Sequence, residues 1–141
     1  MTRVIVAVCV AVGIFISVVV MTGLSGPVQN EEAHPGNKVL YHQALPPLPR
    51  GNHKLGVWLS RWKPGEVTPL HFHHGPGVLC VLEGQLRIRI PSQGEVTVNP
   101  GNCWEETPGV AHSPLNPGRR DARAVFVLIH PVDKPLREDV K

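Results

Sequence analysis

The sequence predicts an all-β domain, a sandwich or barrel, and three observations carry that expectation. Short runs rich in Val, Leu and Ile recur about every ten residues. Pro and Gly, 15 and 14 of the 141 residues, fall between these runs. No stretch of useful length carries the 3.6-residue apolar period of an amphipathic helix.

The elements follow in order. LGVWLSRW (55–62) ends at Pro64-Gly65, and VTPLHFH (67–73) at Gly75-Pro76-Gly77. VLCVL (78–82) is followed by Glu83-Gly84. In QLRIRI (85–90), Leu86, Ile88 and Ile90 share one face and Arg87 and Arg89 the other, as strand alternation requires. EVTVN (95–99) runs into Pro100-Gly101, and NCWEE (102–106) into Pro108-Gly109. ARAVFVLIH (122–130) is apolar on both faces, which places it centrally in a sheet. Gly65, Gly84 and Gly101 suit turns that need positive φ.

Before these strands lie two segments of different character. Val4 to Met21 is an unbroken uncharged run preceded by Arg3 and followed by Gly23, Ser25 and Gly26. Residues 1–25 therefore read as a helical signal peptide or as a membrane anchor, two readings the sequence leaves open. Either way, Arg3 before the run and Glu31 and Glu32 after it place the rest of the chain in the periplasm or beyond, by the positive-inside bias. Residues 26–37 read as a linker, 38–135 as the barrel and 136–141 as a C-terminal tail. The formal charge of +3 includes Arg3, and Arg119, Arg120 and Arg123 read as a solvated loop. No basic face with interleaved aromatics is present, so no nucleic-acid partner is expected. Outside residues 1–25 the cysteines are Cys80 and Cys103, either a disulfide of an exported protein or two buried thiols.

The chemistry concentrates in HFHHGPG (71–77). On a strand, His71 and His73 point to the same side, and two imidazoles at that spacing can share one metal ion at about 2.0–2.2 Å. Two histidines lining a polar pocket are the alternative reading. His74 points away and reads as a rim residue. His112, after the Pro108-Gly109 turn, sits where a barrel could bring a third imidazole beside them. His34, His42, His53 and His130 have no partner spacing and read as surface or packing residues.

At these positions the sequence resembles the cupin family. Gly65 is followed by five residues, then His71-Phe72-His73, and Gly84 falls where the first family motif closes. Gly101 is followed by five residues, then Thr107-Pro108-Gly109, His112 and Asn116, the spacing of the second motif. Thr107 stands at a family proline, and Gly77 stands where the family has its metal-binding Glu. The resemblance, over residues 38–132, implies a double-stranded β-helix or jelly-roll barrel with a divalent metal on His71, His73 and His112. Iron(II) is favoured, with Mn, Ni, Zn or Cu also suited to imidazole.

Glu106, in register with His112, is the candidate catalytic carboxylate: a fourth ligand, a general base, or an acceptor holding a ligand N–H, against the plainer reading of an exposed strand-end acid. Glu66 and Glu83 read as turn residues. Gly77, without a side chain, is expected to leave room for substrate, with Trp58, Trp62, Phe72 and Trp104 as its walls or as core. The expected function is an exported metal-binding oxygenase or related metalloenzyme acting on a small anionic molecule. The alternatives are a non-catalytic ligand-binding or sensing cupin and a metal-assisted isomerase or lyase. A homodimer is expected from exposed edge strands and from the habit of the family.

Overall fold

The computed structural model describes residues 38–141. The expected N-terminal helix and the whole of the linker (26–37) lie outside the described residues. Within them are nine strands and no helix: β1 (His53–Trp62), β2 (His71–Phe72), β3 (Gly77–Glu83), β4 (Leu86–Ile90), β5 (Gly94–Val98), β6 (Cys103–Glu106), β7 (Ser113–Leu115), β8 (Ala122–Pro131) and β9 (Glu138–Asp139). No described helix is long and apolar enough to cross a membrane.

One sheet has the order β1-β8-β3-β6, all neighbours antiparallel. The strand expected to be central, β8, is buttressed on both sides by β1 and β3. The second layer is β5-β4-β7, and β2-β9 extends it through bridges from Val67 to Leu115 and from His71 to His112. Gly65 N–H donates to the Asn116 carbonyl, Thr68 N–H to Pro114, and His71 and His112 exchange both backbone bonds at 3.0 and 2.8 Å. The predicted strand 67–73 thus pairs along its length, but the prolines at 69 and 114 interrupt its ladder, and only His71–Phe72 is regular.

The core lies between the layers. Leu86, Ile88 and Ile90 of β4 meet Leu79 and Val81 of β3, Ala122 and Ala124 of β8, and Trp62. Burial along β4 alternates strictly, as its apolar period requires. Asn116, fully buried, spends its side chain on the Trp62 carbonyl (3.0 Å), the Arg120 carbonyl (2.8 Å) and the Gly118 N–H (2.8 Å), which fixes the turn after β7. Gly84 has φ +72°, and a Cβ there would meet the Asp121 carbonyl at 2.7 Å, so this turn accepts no side chain.

Cys80 and Cys103 are direct cross-strand partners on β3 and β6, with Cα atoms 4.0 Å apart, and they form a disulfide. Their side chains lie on the face of β3 opposite the buried Leu79 and Val81. On the same sheet's edge, Leu55, Val57 and Leu59 of β1 are exposed.

Residues 136–141, which the sequence marks only as a tail, supply β9. His71 pairs with Asp139 and Phe72 with Glu138, and Val140 N–H donates to the Leu70 carbonyl at 2.9 Å.

Candidate metal centre

Alternation on the strand carrying residues 71–73 turns His71 and His73 inward, and the reciprocal backbone pair between His71 and His112 brings the third ring beside them. The three are 5%, 4% and 1% exposed. Ring centroids lie 5.0 Å apart for His71–His73, 4.5 Å for His71–His112 and 5.4 Å for His73–His112. One ligand nitrogen from each lies within 4.8 Å of the others.

Each ring is oriented by a backbone carbonyl. Nδ1–H donates to Pro69 from His71 (2.7 Å), to Leu136 from His73 (2.7 Å) and to Val110 from His112 (3.0 Å). A carbonyl only accepts, so Nδ1 carries the proton and Nε2 offers a lone pair, the tautomer a metal needs. Burial pulls His73 and His112 down to about 4 and lowers His71 as well, so all three are neutral at pH 7.

Glu106 joins them. It is 3% exposed, with Oε2 3.2 Å from His73 Nε2 and Oε1 3.7 Å from His112 Nε2. The plainer expectation of an exposed strand-end acid is therefore corrected. The sheet parity that exposes Glu105's side of β6 turns Glu106 inward. Burial raises its carboxyl to about 8. Among the described residues, Glu106 Oε2 and His112 Nε2 have no hydrogen-bond partner. Three imidazole lone pairs and one carboxyl thus converge in a buried place where, among the described residues, the proton that Glu106 keeps below about pH 8 is the one available to answer them. A cation satisfies such a set, and nitrogen and oxygen donors suit a divalent transition metal.

Gly77 is also corrected. A Cβ there would sit 3.1 Å from Leu128 Cδ1, Phe126 Cε2 and the Val127 carbonyl, so the position is packed rather than open to substrate. The room lies elsewhere. A cavity of about 270 Å³ reaches His71, His73 and Glu106 past Trp62, Phe126 and Arg137. Of the four aromatics expected as wall or core, Trp62 is both, and its Nε1–H donates to Thr68 Oγ1 at 2.8 Å. Trp104 packs edge-on to His112, Trp58 stacks on Phe126, and Phe72 meets His74. His74 is outside the cluster, with Nε2 2.7 Å from Glu138 Oε1. His130 is buried, while Glu66 follows the Pro64-Gly65 turn and lines the cavity, and Glu83 ends β3, so the expectation of a turn residue is corrected for Glu83. Leu136 and Arg137 carried no signal in the sequence, because a two-residue strand has no periodicity to read.

The Cupin domain family profile matches residues 58–128. The chain belongs to the cupin family. A search of curated proteins finds no match. Among solved structures, this cupin is similar to the polyketide cyclase RemF from Streptomyces resistomycificus, at 26% identity and TM-score 0.54, over 62% of this chain and 61% of that one. It is also similar in fold to the DMSP lyase DddQ from Ruegeria pomeroyi (16%, TM-score 0.52, 57% and 41%). A third fold relative is an oxalate decarboxylase variant from B. subtilis (23%, TM-score 0.54, 61% and 24%). The chain spans less than two thirds of the length of each of these proteins.

Proposed function

We propose that this cupin is an exported metalloenzyme acting on a small anionic molecule, with a divalent metal, iron(II) first, held by His71, His73, His112 and Glu106. The observation that carries the catalytic reading is the cavity of about 270 Å³ ending on His71, His73 and Glu106. A binding or sensing cupin with its ligands sealed under Trp104 or Phe72 would lack it. Such an ion supplies Lewis acidity and, as iron, redox chemistry with dioxygen. The chain's own part is to orient and enclose. Three carbonyls hold the imidazoles in one tautomer. Trp62, Phe126 and Leu136 line the approach to the ligands with apolar surface, which strengthens charge interactions with whatever fills it. Glu106 lies at a ligand-to-ligand distance from two of the imidazole nitrogens and supplies the carboxylate that position 77 lacks.

An oxygenase is the leading reaction class. A second reading, a metal-assisted cyclase or lyase that consumes no oxygen, is supported by the likeness to RemF. Export rests on the apolar run Val4–Met21. A homodimer would cover the exposed Leu55, Val57 and Leu59.

Metal analysis of protein purified without chelator, beside a His71→Ala/His112→Ala double variant, tests the centre. Near-stoichiometric metal in the parent and none in the variant is expected. Equal, negligible metal in both after reconstitution would refute it. Dioxygen uptake during turnover then separates the oxygenase from the cyclase or lyase.

A further inference from the structure

The cavity has two cations on its wall, Arg61 and Arg137. Arg61 is engaged twice, its Nε–H donating to Asp121 Oδ2 at 2.6 Å and its Nη2 reaching the same oxygen, although this pair is open to solvent. Arg137 is held differently. Its pairing among the described residues is with Asp139, Nε to Oδ1 at 3.2 Å, and the two side chains are 41% and 57% exposed. A pair that open to solvent contributes little and yields readily to a competitor.

The backbone around Arg137 is fixed by the site itself. Leu136 accepts the His73 Nδ1–H, and Glu138 and Asp139 pair with Phe72 and His71. The guanidinium is therefore carried on a segment stitched to two of the proposed ligands. Its positive charge is felt at both His71 and His73. A planar fork of N–H donors at the wall of a partly desolvated cavity matches a carboxylate in two-point geometry.

We propose that Arg137 is a specificity-determining residue that binds a carboxylate of the substrate, so that this enzyme's substrate is a small carboxylate anion carrying a second oxygen donor for the metal. This rests on the metal centre proposed above. It also gives the C-terminal strand a purpose beyond closing the sheet, since one segment both orients a ligand and reads the substrate.

Calorimetric titration of the full chain tests it, with oxalate, malonate and succinate as the carboxylate probes and azide as a metal-directed anion without a second charged end. With cobalt(II) bound, at least one dicarboxylate is expected to bind the parent. Arg137→Gln should weaken it about ten- to a hundredfold, the loss of a charge-assisted pair. Azide affinity should change less than about threefold if Arg137 contacts only the distal carboxylate. Binding of cobalt itself should not change. The proposal is overturned if no dicarboxylate binds the parent, if the variant binds it equally well, or if azide weakens in parallel. The same titration of metal-free protein separates the two readings. A parent that takes up no cobalt refutes the metal centre and the chelating half of this proposal; dicarboxylate binding to that protein which Arg137→Gln abolishes supports the carboxylate contact, and binding which the variant keeps overturns it.

Discussion

Gly77 and Glu106 are direct partners across the β3–β6 ladder. The position that carries a metal-binding Glu in related cupins is here a glycine, and the residue opposite it is a buried carboxylate facing two imidazoles. A carboxylate thus stands across the ladder from where the resemblance to the family motif calls for one, not on β3 itself. The space it would have used on β3 is filled by Phe126 and Leu128.

If Glu106 is a ligand, Glu106→Gln keeps its volume but loses its charge. Metal affinity should fall by at least about a hundredfold, more than removal of a mere orienting partner costs. Competition against a chromogenic chelator measures this. Unchanged affinity with lost turnover would make Glu106 an acid–base group instead.

Restoring the family residue should not restore the site. Gly77→Glu must displace Phe126 and Leu128, and overpacking of this kind costs about 1–3 kcal/mol. We expect a lower urea midpoint for Gly77→Glu, and no recovery of metal binding when it is combined with Glu106→Gln. Recovery in the double variant would show that the core there is softer than its contacts imply.

The metal-free protein should be most stable near neutrality. His73 and His112 have folded values of about 4, below their ordinary 6.5, so the unfolded chain binds more protons between those values and stability rises with pH there. Glu106 has a folded value of about 8, above its ordinary 4.5, so its contribution is full below 4.5 and is lost as pH rises towards 8. His71 is lowered too and adds in the same direction, so the histidines outweigh one acid below their ordinary value and the acid acts alone well above it, which puts the maximum at about pH 7. Urea midpoints in EDTA at several pH values check this. Glu106→Gln should abolish the alkaline decline, and a decline that persists in that variant would assign it to another group.

The Cys80–Cys103 bond closes a loop with a sequence separation of 23 and should contribute about 3 kcal/mol. Replacing both by serine should lower thermal stability and leave metal content intact, because the pair lies on the sheet face away from the histidines. Loss of metal from that variant would show the two faces to be coupled.

The strands of this fold were legible wherever an apolar alternation or a continuous apolar run extended for five residues or more, as in β1, β4 and β8. The two histidine motifs marked the cluster because their spacing survives translation into strands and turns. What escaped was set by partners remote in the chain. Nothing local tells whether Glu105 or Glu106 faces the core, since both are acids on one short strand and only the register against β3 decides. Cys80 and Cys103 left both a disulfide and free thiols open for the same reason. Nothing near residue 136 announces that its carbonyl will hold a ring 63 positions earlier. The crowding at Gly77 comes from β8, about fifty residues downstream, and a glycine in a sequence looks the same whether it faces emptiness or a phenylalanine.

The stitching of β9 to β2 also sets an order of events in synthesis. His73 is made long before Leu136, so for that interval its ring has no carbonyl to aim it, whereas His71 has the Pro69 carbonyl beside it from the start. The aim of the His73 ring, and with it the geometry of the three-imidazole cluster, therefore waits on the docking of residues 136–140 against the strand that carries His71.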